Sequence, residues 1–245
     1  MAQYQYDNAF FRYTTASNDH SAQRVAELLT GWLHPHSVVD FGCAQGAWLA
    51  AWLKAGATEV AGVDGDYVDR RQLRIAADAF TARDLVVPID LGRSFDLAMS
   101  VEVAEHLPHT AAAQFVATLC QHAEIVLFSA APPGQGGEHH INEQPYAYWR
   151  DLFQAQGYAC LDAVRPRLRG DLAVQPWYRY NIFLYASVAG LKRLPPEVLA
   201  TRIAAGAALP DLSPLRYQVR KAVVRQVPAP VADALARLKA RVGGG

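Results

Sequence analysis

Between residues 37 and 187 the chain returns again and again to short runs of β-branched and aromatic residues, separated by stretches of helical character. The runs are SVVDFG (37–42), TEVAGVD (58–64), AFTARDL (79–85), FDLAMSVE (95–102), EIVLFSA (124–130), YACLDAV (158–164) and NIFLYAS (181–187). A strand buried on both faces reads as an apolar run, and a parallel neighbour is reached only through a long crossover. This alternation restricts the chain to an α/β architecture, a mainly parallel seven-stranded sheet with helices on both faces.

The helices have their own signals. Val25, Leu28, Leu29, Trp32 and Leu33 recur at helical spacing over 22–33, which predicts one apolar helix face. Residues 47–55 form a second helix stopped by Gly56, residues 109–122 a third, and Pro145 opens a fourth that Gly157 closes. At 245 residues the chain suits one α/β domain with an extension. Its net charge of zero hides an asymmetry. Residues 1–189 hold 13 Lys/Arg against 20 Asp/Glu, a balance of −7, and residues 190–245 hold 10 against 3, a balance of +7. The expected division is therefore a domain over 1–189, with 1–36 as an N-terminal lid and cap-helix region, and a basic helical C-terminal extension over 190–245.

Cys43, Cys120 and Cys160 are odd in number and widely spaced. They form neither a disulfide framework nor a CxxC zinc pattern, and suggest a reducing compartment. The opening MAQYQYDNAFF is no signal peptide, and no apolar run is long enough to span a bilayer. A cytoplasmic location is expected.

In open α/β sheets, ligands bind beyond the carboxyl ends of the strands where the strand order reverses. The first strand here ends in Asp40-Phe41-Gly42-Cys43-Ala44-Gln45-Gly46, a D-x-G-x-x-x-G turn leading straight into a helix. The second ends on Asp64, 18 residues after Gly46, where a carboxylate can accept from two ribose hydroxyls. A nicotinamide-binding chain would share that acid. It would also need the G-x-G-x-x-G pyrophosphate loop, which is absent.

VVDFGCAQGAW resembles motif I of class I S-adenosylmethionine-dependent methyltransferases, and GVDGDYV resembles their second acidic motif. Asp84-Leu85, 11 residues before Phe95-Asp96, stands at the family's adenine position, and SVEVAEHLP (100–108) matches its motif after strand four. GQGGEHHINEQPYAYW resembles a bacterial small-molecule and sugar-type subgroup with a G-H-x-N-E-Q element, and YDNAFFRY resembles that subgroup's lid. The resemblance spans about residues 4–187 and implies a Rossmann-like fold, S-adenosylmethionine as cofactor and S-adenosylhomocysteine as product. By resemblance, Asp40, Phe41 and Gly42 line the methionine end, with Gly46 keeping the turn tight. Asp64 and the adjoining Gly65 hold the ribose, Asp84 and Leu85 the adenine, and Ser100 and Val101 pass beneath the sulfonium. Tyr13 belongs to the lid. Ala44 departs from the family's usual glycine, which implies weaker affinity at most.

The sulfonium carries the activated methyl, so the protein has to align an acceptor and take up its proton. Two clusters can serve. Glu102-x-x-Glu105-His106 follows strand four, and Glu138-His139-His140-Ile141-Asn142-Glu143 follows strand five. On a helix beginning near 102, Glu102, Glu105 and His106 would share a face. With His140 they resemble the Mg²⁺/Mn²⁺ site of small-RNA 3′-end 2′-O-methyltransferases, and some ubiquinone-pathway O-methyltransferases look similar. Glu102, Glu105, His106 and His140 are thus candidate metal ligands, and His140, His106 and Glu105 candidate acid–base residues. The competing reading has Glu and His merely bracing a helix, without metal. His139 is read as a neighbour, Trp149 as core, and Tyr146 with Trp177–Tyr180 as pocket wall.

The expected reaction is methyl transfer to a small-molecule acceptor, by O-methylation of a sugar or natural-product intermediate. The alternatives are a nucleic-acid 2′-O-methyltransferase, which the acidic balance of 1–189 disfavours, and a non-catalytic module on the same fold. The basic tail is read as a solvated face or as a helix docking a partner or membrane surface, and a homo-oligomer is left open.

Overall fold

The computed structural model describes residues 8–227 and the isolated positions Val231 and Ala234, with side chains from Asn18 onward. Seven strands form one sheet: β1 (Ser37–Phe41), β2 (Glu59–Asp64), β3 (Phe80–Ala82), β4 (Leu97–Val101), β5 (Ile125–Ser129), β6 (Ala159–Leu161) and β7 (Phe183–Ala186). Their order is 3-2-1-4-5-7-6, parallel except for β7, which runs antiparallel to both β5 and β6. All seven expected strands are present. The order reverses between β1 and β4, and this places the ends of those two strands at the ligand-binding edge.

Alternate residues along the strands feed two separate cores, as a pleated strand requires. Val38, Leu97, Met99, Ile125, Leu127, Leu184 and Ala186 pack on one face with Leu29, Leu49, Trp52 and Leu168. Val39, Phe41, Ala98, Val126, Phe128, Phe183 and Tyr185 pack on the other with Phe115, Leu119, Trp149 and Phe153. The first face is covered by α1 (Asn8–Leu33), α2 (Ala47–Lys54) and α5 (Val164–Leu168), the second by α3 (Ala112–His122) and α4 (Tyr146–Ala155). Trp149 is core, as expected.

Three differences from the sequence reading have local causes. Helix α1 extends well before residue 22, because no glycine or proline interrupts residues 8–30 even where the apolar stripe is weak. Of the lid segment, Phe10, Phe11 and Tyr13 lie along its first turns, with side chains outside the described set, and Tyr6 lies outside the described residues. Second, Trp177–Tyr180 belong to a short helix, α6 (Pro176–Asn181), with proline at its first turn. Third, the stretch from 190 packs on the domain. It carries the short helices α7 (Val188–Leu191) and α8 (Pro196–Leu199) and then α9 (Leu215–Val224), and Leu194 and Val198 are buried in the first core.

Candidate active site

The loop after β1 is built around the end of β2. The amide of Gly42 donates to Val63 O at 2.7 Å, and that of Ala44 to Asp64 Oδ2 at 2.7 Å. Gly42, Ala44 and Gly46 all have positive φ, at 95°, 47° and 80°. A side chain at Gly42 would run into Val103. Ala44 therefore occupies a left-handed position at a cost of about 1 kcal/mol that glycine would avoid.

Asp40 and Asp64 are both buried at adjoining strand ends. Burial pushes both carboxyls above the usual range, and the negative charge of Asp64 raises Asp40 further. Asp64 has an offset that Asp40 lacks, since Tyr67 Oη (2.5 Å), the Ala44 amide and the Gly65 amide (2.6 Å) all donate to it. Leu85 is buried beyond β3 while Asp84 is exposed, its Oδ1 accepting from the Val86 amide at 3.0 Å. Ser100 is fully buried near the end of β4, its hydroxyl without a hydrogen-bond partner, and Val101 follows it.

The second half of the site lies just beyond β4 and β5. Glu102 has a φ of 57°, and residues 104–106 form a single 3₁₀ turn. The helix that would have placed Glu102, Glu105 and His106 on one face is absent. The Glu102 carboxylate instead accepts from Ser129 Oγ (2.9 Å), Gln135 Nε2 (2.5 Å) and Asn181 Nδ2 (3.3 Å). Of the four residues expected to converge, the structure brings together Glu105, His106 and His140, with one candidate ligand atom from each within 4.8 Å of the others.

The loop from β5 is tied to this turn by its backbone. Ile141 and Asn142 both donate their amides to Glu105 O at 3.0 Å. His106 Nδ1 lies 3.2 Å from His139 O, and His140 Nδ1 lies 2.9 Å from Glu143 Oε1. Glu143 is itself held by the amides of Gly134 and Gly136, both at 2.7 Å. A carbonyl or carboxylate oxygen only accepts, so in each neutral ring Nδ1 carries the proton and Nε2 the lone pair. The two rings meet edge to face, 4.9 Å apart. His139, with a φ of 57°, contributes its carbonyl.

Glu105 is fully buried, and no hydrogen bond of ordinary geometry reaches either carboxylate oxygen. Burial, then the nearby charge of Glu102, holds its carboxyl well above the usual range; the amides of Glu105 and Ala131 offset this only weakly. Burial holds His106 well below the usual imidazole range.

Sequence reasoning missed the polar frame around Glu102. Gln135 Oε1 accepts from Asn181 Nδ2 at 2.7 Å, and Tyr146 Oη donates to Asn181 Oδ1 at 2.8 Å. Tyr146 thus joins this frame through Asn181. The only sequence cue to Gln135 is its place in the glycine-rich loop PPGQGG. That loop is overlaid by α9: Arg220 donates to Gln135 O at 2.7 Å, Arg225 to Pro133 O at 2.8 Å, and a side chain at Gly134 would meet the Lys221 carbonyl.

A family model described as a methyltransferase domain matches residues 15–163, more than half of the chain. The chain belongs to that family. It is an S-adenosylmethionine-dependent methyltransferase with the seven-stranded Rossmann-like fold. No curated protein matches it in sequence. Among solved structures, the sugar N-methyltransferase KedS8 from a Streptoalloteichus species is similar at 15% identity and a TM-score of 0.57, covering 76% of this methyltransferase and 95% of that chain. Magnesium protoporphyrin IX methyltransferase from Synechocystis, with bound S-adenosylmethionine, gives 18%, 0.54, 75% and 86%. The methyltransferase domain of bacterial CtHen1-C gives 18%, 0.53, 70% and 98%. At these identities the likeness is one of fold. Among the described residues no helix is long and apolar enough to cross a membrane.

Proposed function

We propose that this methyltransferase transfers the methyl group of S-adenosylmethionine to an oxygen of a small-molecule acceptor, a sugar or natural-product intermediate, beside Glu105, His106 and His140. In this reading Asp40, Phe41, Gly42, Ala44 and Gly46 enclose the methionine end, Asp64 and Gly65 the ribose, and Asp84 and Leu85 the adenine. Ser100 and Val101 underlie the sulfonium, with the Ser100 hydroxyl available to a ligand. Tyr13 is proposed for the lid.

One observation carries the catalytic part. Both imidazoles are fixed through Nδ1 by oxygens of the protein, which leaves Nε2 of each neutral ring as the acceptor, and both rings lie beside a buried carboxylate that only two backbone amides offset. That is how histidines are oriented around a divalent cation, where a second-layer oxygen sets the tautomer. A cation would also compensate Glu105. One carboxylate and two imidazoles fit Mn²⁺ better than Mg²⁺, which prefers an all-oxygen octahedron. When bound, such an ion lowers the pKa of a coordinated hydroxyl. Without it, His140 is placed as the general base: Nε2 accepts the acceptor's proton, and Glu143 stabilises the resulting imidazolium through Nδ1.

KedS8, alike in fold, bears the name of a sugar N-methyltransferase, so a sugar acceptor suits this fold, with nitrogen as the methylated atom in that protein. The −7 balance of residues 1–189 speaks against nucleic acid. The test is transfer of labelled methyl to panels of sugars, phenolic natural products and RNA, with EDTA and with added Mn²⁺. Transfer to a small hydroxylated acceptor, lost in His140→Ala, is the expected result. Transfer to RNA alone, or full turnover in both His106→Ala and His140→Ala, overturns this reading.

A further inference from the structure

Helix α9 carries apolar side chains on its solvent side as well as on its inner one. The residues it presents to the protein are Tyr217, Lys221 and Val224, and Lys221 is buried in an ion pair with Asp211 (2.5 Å). The residues it presents to solvent are Leu215, Val219 and Val223, which are 75%, 54% and 60% exposed. Spaced four apart, these three form one stripe along the helix, with Ala222 beside it. At 100° per residue, Arg216 lies beside the stripe on one side with Arg220 beyond it, and Arg225 lies further round on the other side, past Ala222 and Gln218. Residues 212–227 contain four basic residues and no acidic one. Single exposed apolar residues need no explanation, but a contiguous stripe of them on the solvent side of a helix that already packs Tyr217 and Val224 against the protein does.

We propose that this outer face docks the methyltransferase on an anionic lipid surface, with Leu215, Val219 and Val223 entering the headgroup boundary and Arg216, Arg220 and Arg225 meeting lipid phosphates. Charge decides between occupants. A second copy packed through a two-fold contact would set the arginine borders against themselves. Residues 228–245 carry Arg237, Lys239 and Arg241 against Asp233 alone, so they have the same sign as the stripe's borders. An anionic bilayer has the opposite sign and accepts a convex apolar ridge without a preformed groove. The helix is also held rigidly for the task. Arg220 and Arg225 each give one donor to the loop below and keep others for phosphate.

The experiment is vesicle co-sedimentation of the full-length protein, using phosphatidylcholine vesicles with and without phosphatidylglycerol, at low and near-physiological salt. Binding is expected to the phosphatidylglycerol-containing vesicles alone and to weaken with salt. Arg216→Glu should weaken it roughly fivefold or more, and Val219→Asp with Val223→Asp at least about tenfold. These three side chains are exposed, so melting temperature and S-adenosylhomocysteine affinity should stay at wild-type values and report an intact fold. Equal binding to both vesicle types, no binding to either, or binding indifferent to the paired aspartates overturns the proposal. So does light scattering that shows a dimer dispersed by Val219→Asp. None of these outcomes touches the methyl-transfer reading, which is scored by labelled methyl transfer.

Discussion

Asp40→Asn should make the cofactor-free protein more stable while weakening its hold on the cofactor. Asp40 is buried at the end of β1, and the neighbouring Asp64 adds a like charge. Unfolded, the carboxyl ionises near 3.8; folded, burial makes it keep its proton to a much higher pH. Between those two values unfolding releases the proton, so stability is full below about 3.8 and falls as pH rises. Each pH unit over which the folded group stays protonated costs about 1.4 kcal/mol, which sets a ceiling near 4 kcal/mol at neutral pH. Asparagine has the same shape and no such linkage. Its amide still needs partners in a buried place, which takes back about 1–3 kcal/mol.

The net gain is therefore at most about 1–3 kcal/mol. In a chain of this size each kcal/mol corresponds to roughly 2–4 °C in melting temperature at neutral pH. The assay is thermal unfolding of both proteins across pH 4.5 to 8, followed by calorimetry with S-adenosylhomocysteine. The two melting curves should converge toward the acid end and separate as pH rises, and the variant should bind the product at least about tenfold more weakly, because an amide, unlike the carboxyl, cannot release a proton on binding to become an anionic partner of the ligand's ammonium group. Parallel pH profiles, with the variant melting at or below wild type throughout, would refute the reasoning. They would mean that Asp40 is ionised in the fold and that burial is compensated by a donor.

Asp64→Asn should weaken S-adenosylhomocysteine binding at least about tenfold by calorimetry; it is a better test than alanine, because Asp64 also anchors the Ala44 amide of the loop. His140→Ala should abolish Mn²⁺ binding followed by Mn²⁺ electron paramagnetic resonance, and Glu143→Gln should weaken it about 10–100-fold, as expected for a residue that orients a ligand. Gly134→Ala should lower the melting temperature by roughly 4–8 °C, about 2 kcal/mol, because it forces a side chain into a left-handed position and against the Lys221 carbonyl; protease cutting near 206–227 should rise with it. A variant that melts like wild type and resists protease would show that α9 does not rest on this loop.

The central strands β4, β5 and β7 were legible because they are buried throughout, which writes a near-continuous apolar run into the sequence, whereas β2 and β3 are only partly buried and read more weakly. Strand ends were less legible. β3 stops at Ala82 because the Asp84 side chain captures the Val86 amide and Pro88 follows, an event of three or four residues that periodicity does not register. Helix α5 was unreadable for another reason. Its Arg165 looks like a surface residue, yet it is buried between Asp162 and the ring of Phe183 and donates to Pro210 O, partners that only the fold supplies.

The candidate site divides in the same way. His140 and Glu143 are three residues apart on one loop, so their pairing could be read from spacing. Glu102, Glu105 and His106 were read from spacing too, on the assumption of a helix. The strained φ at Glu102 and the single 3₁₀ turn after it break that assumption. Two carboxylates expected to act together are thereby given different tasks. Glu102 is satisfied by Ser129, Gln135 and Asn181, and becomes part of a frame that reaches through Gln135 to the loop beneath α9. Glu105 has only the offset of two backbone amides, beside two oriented imidazoles. A residue whose hydrogen bonds are complete within the protein holds a shape, whereas one whose bonds are incomplete can hold something else, and on the proposed reading that difference gives Glu102 a structural part and Glu105 the ligand chemistry.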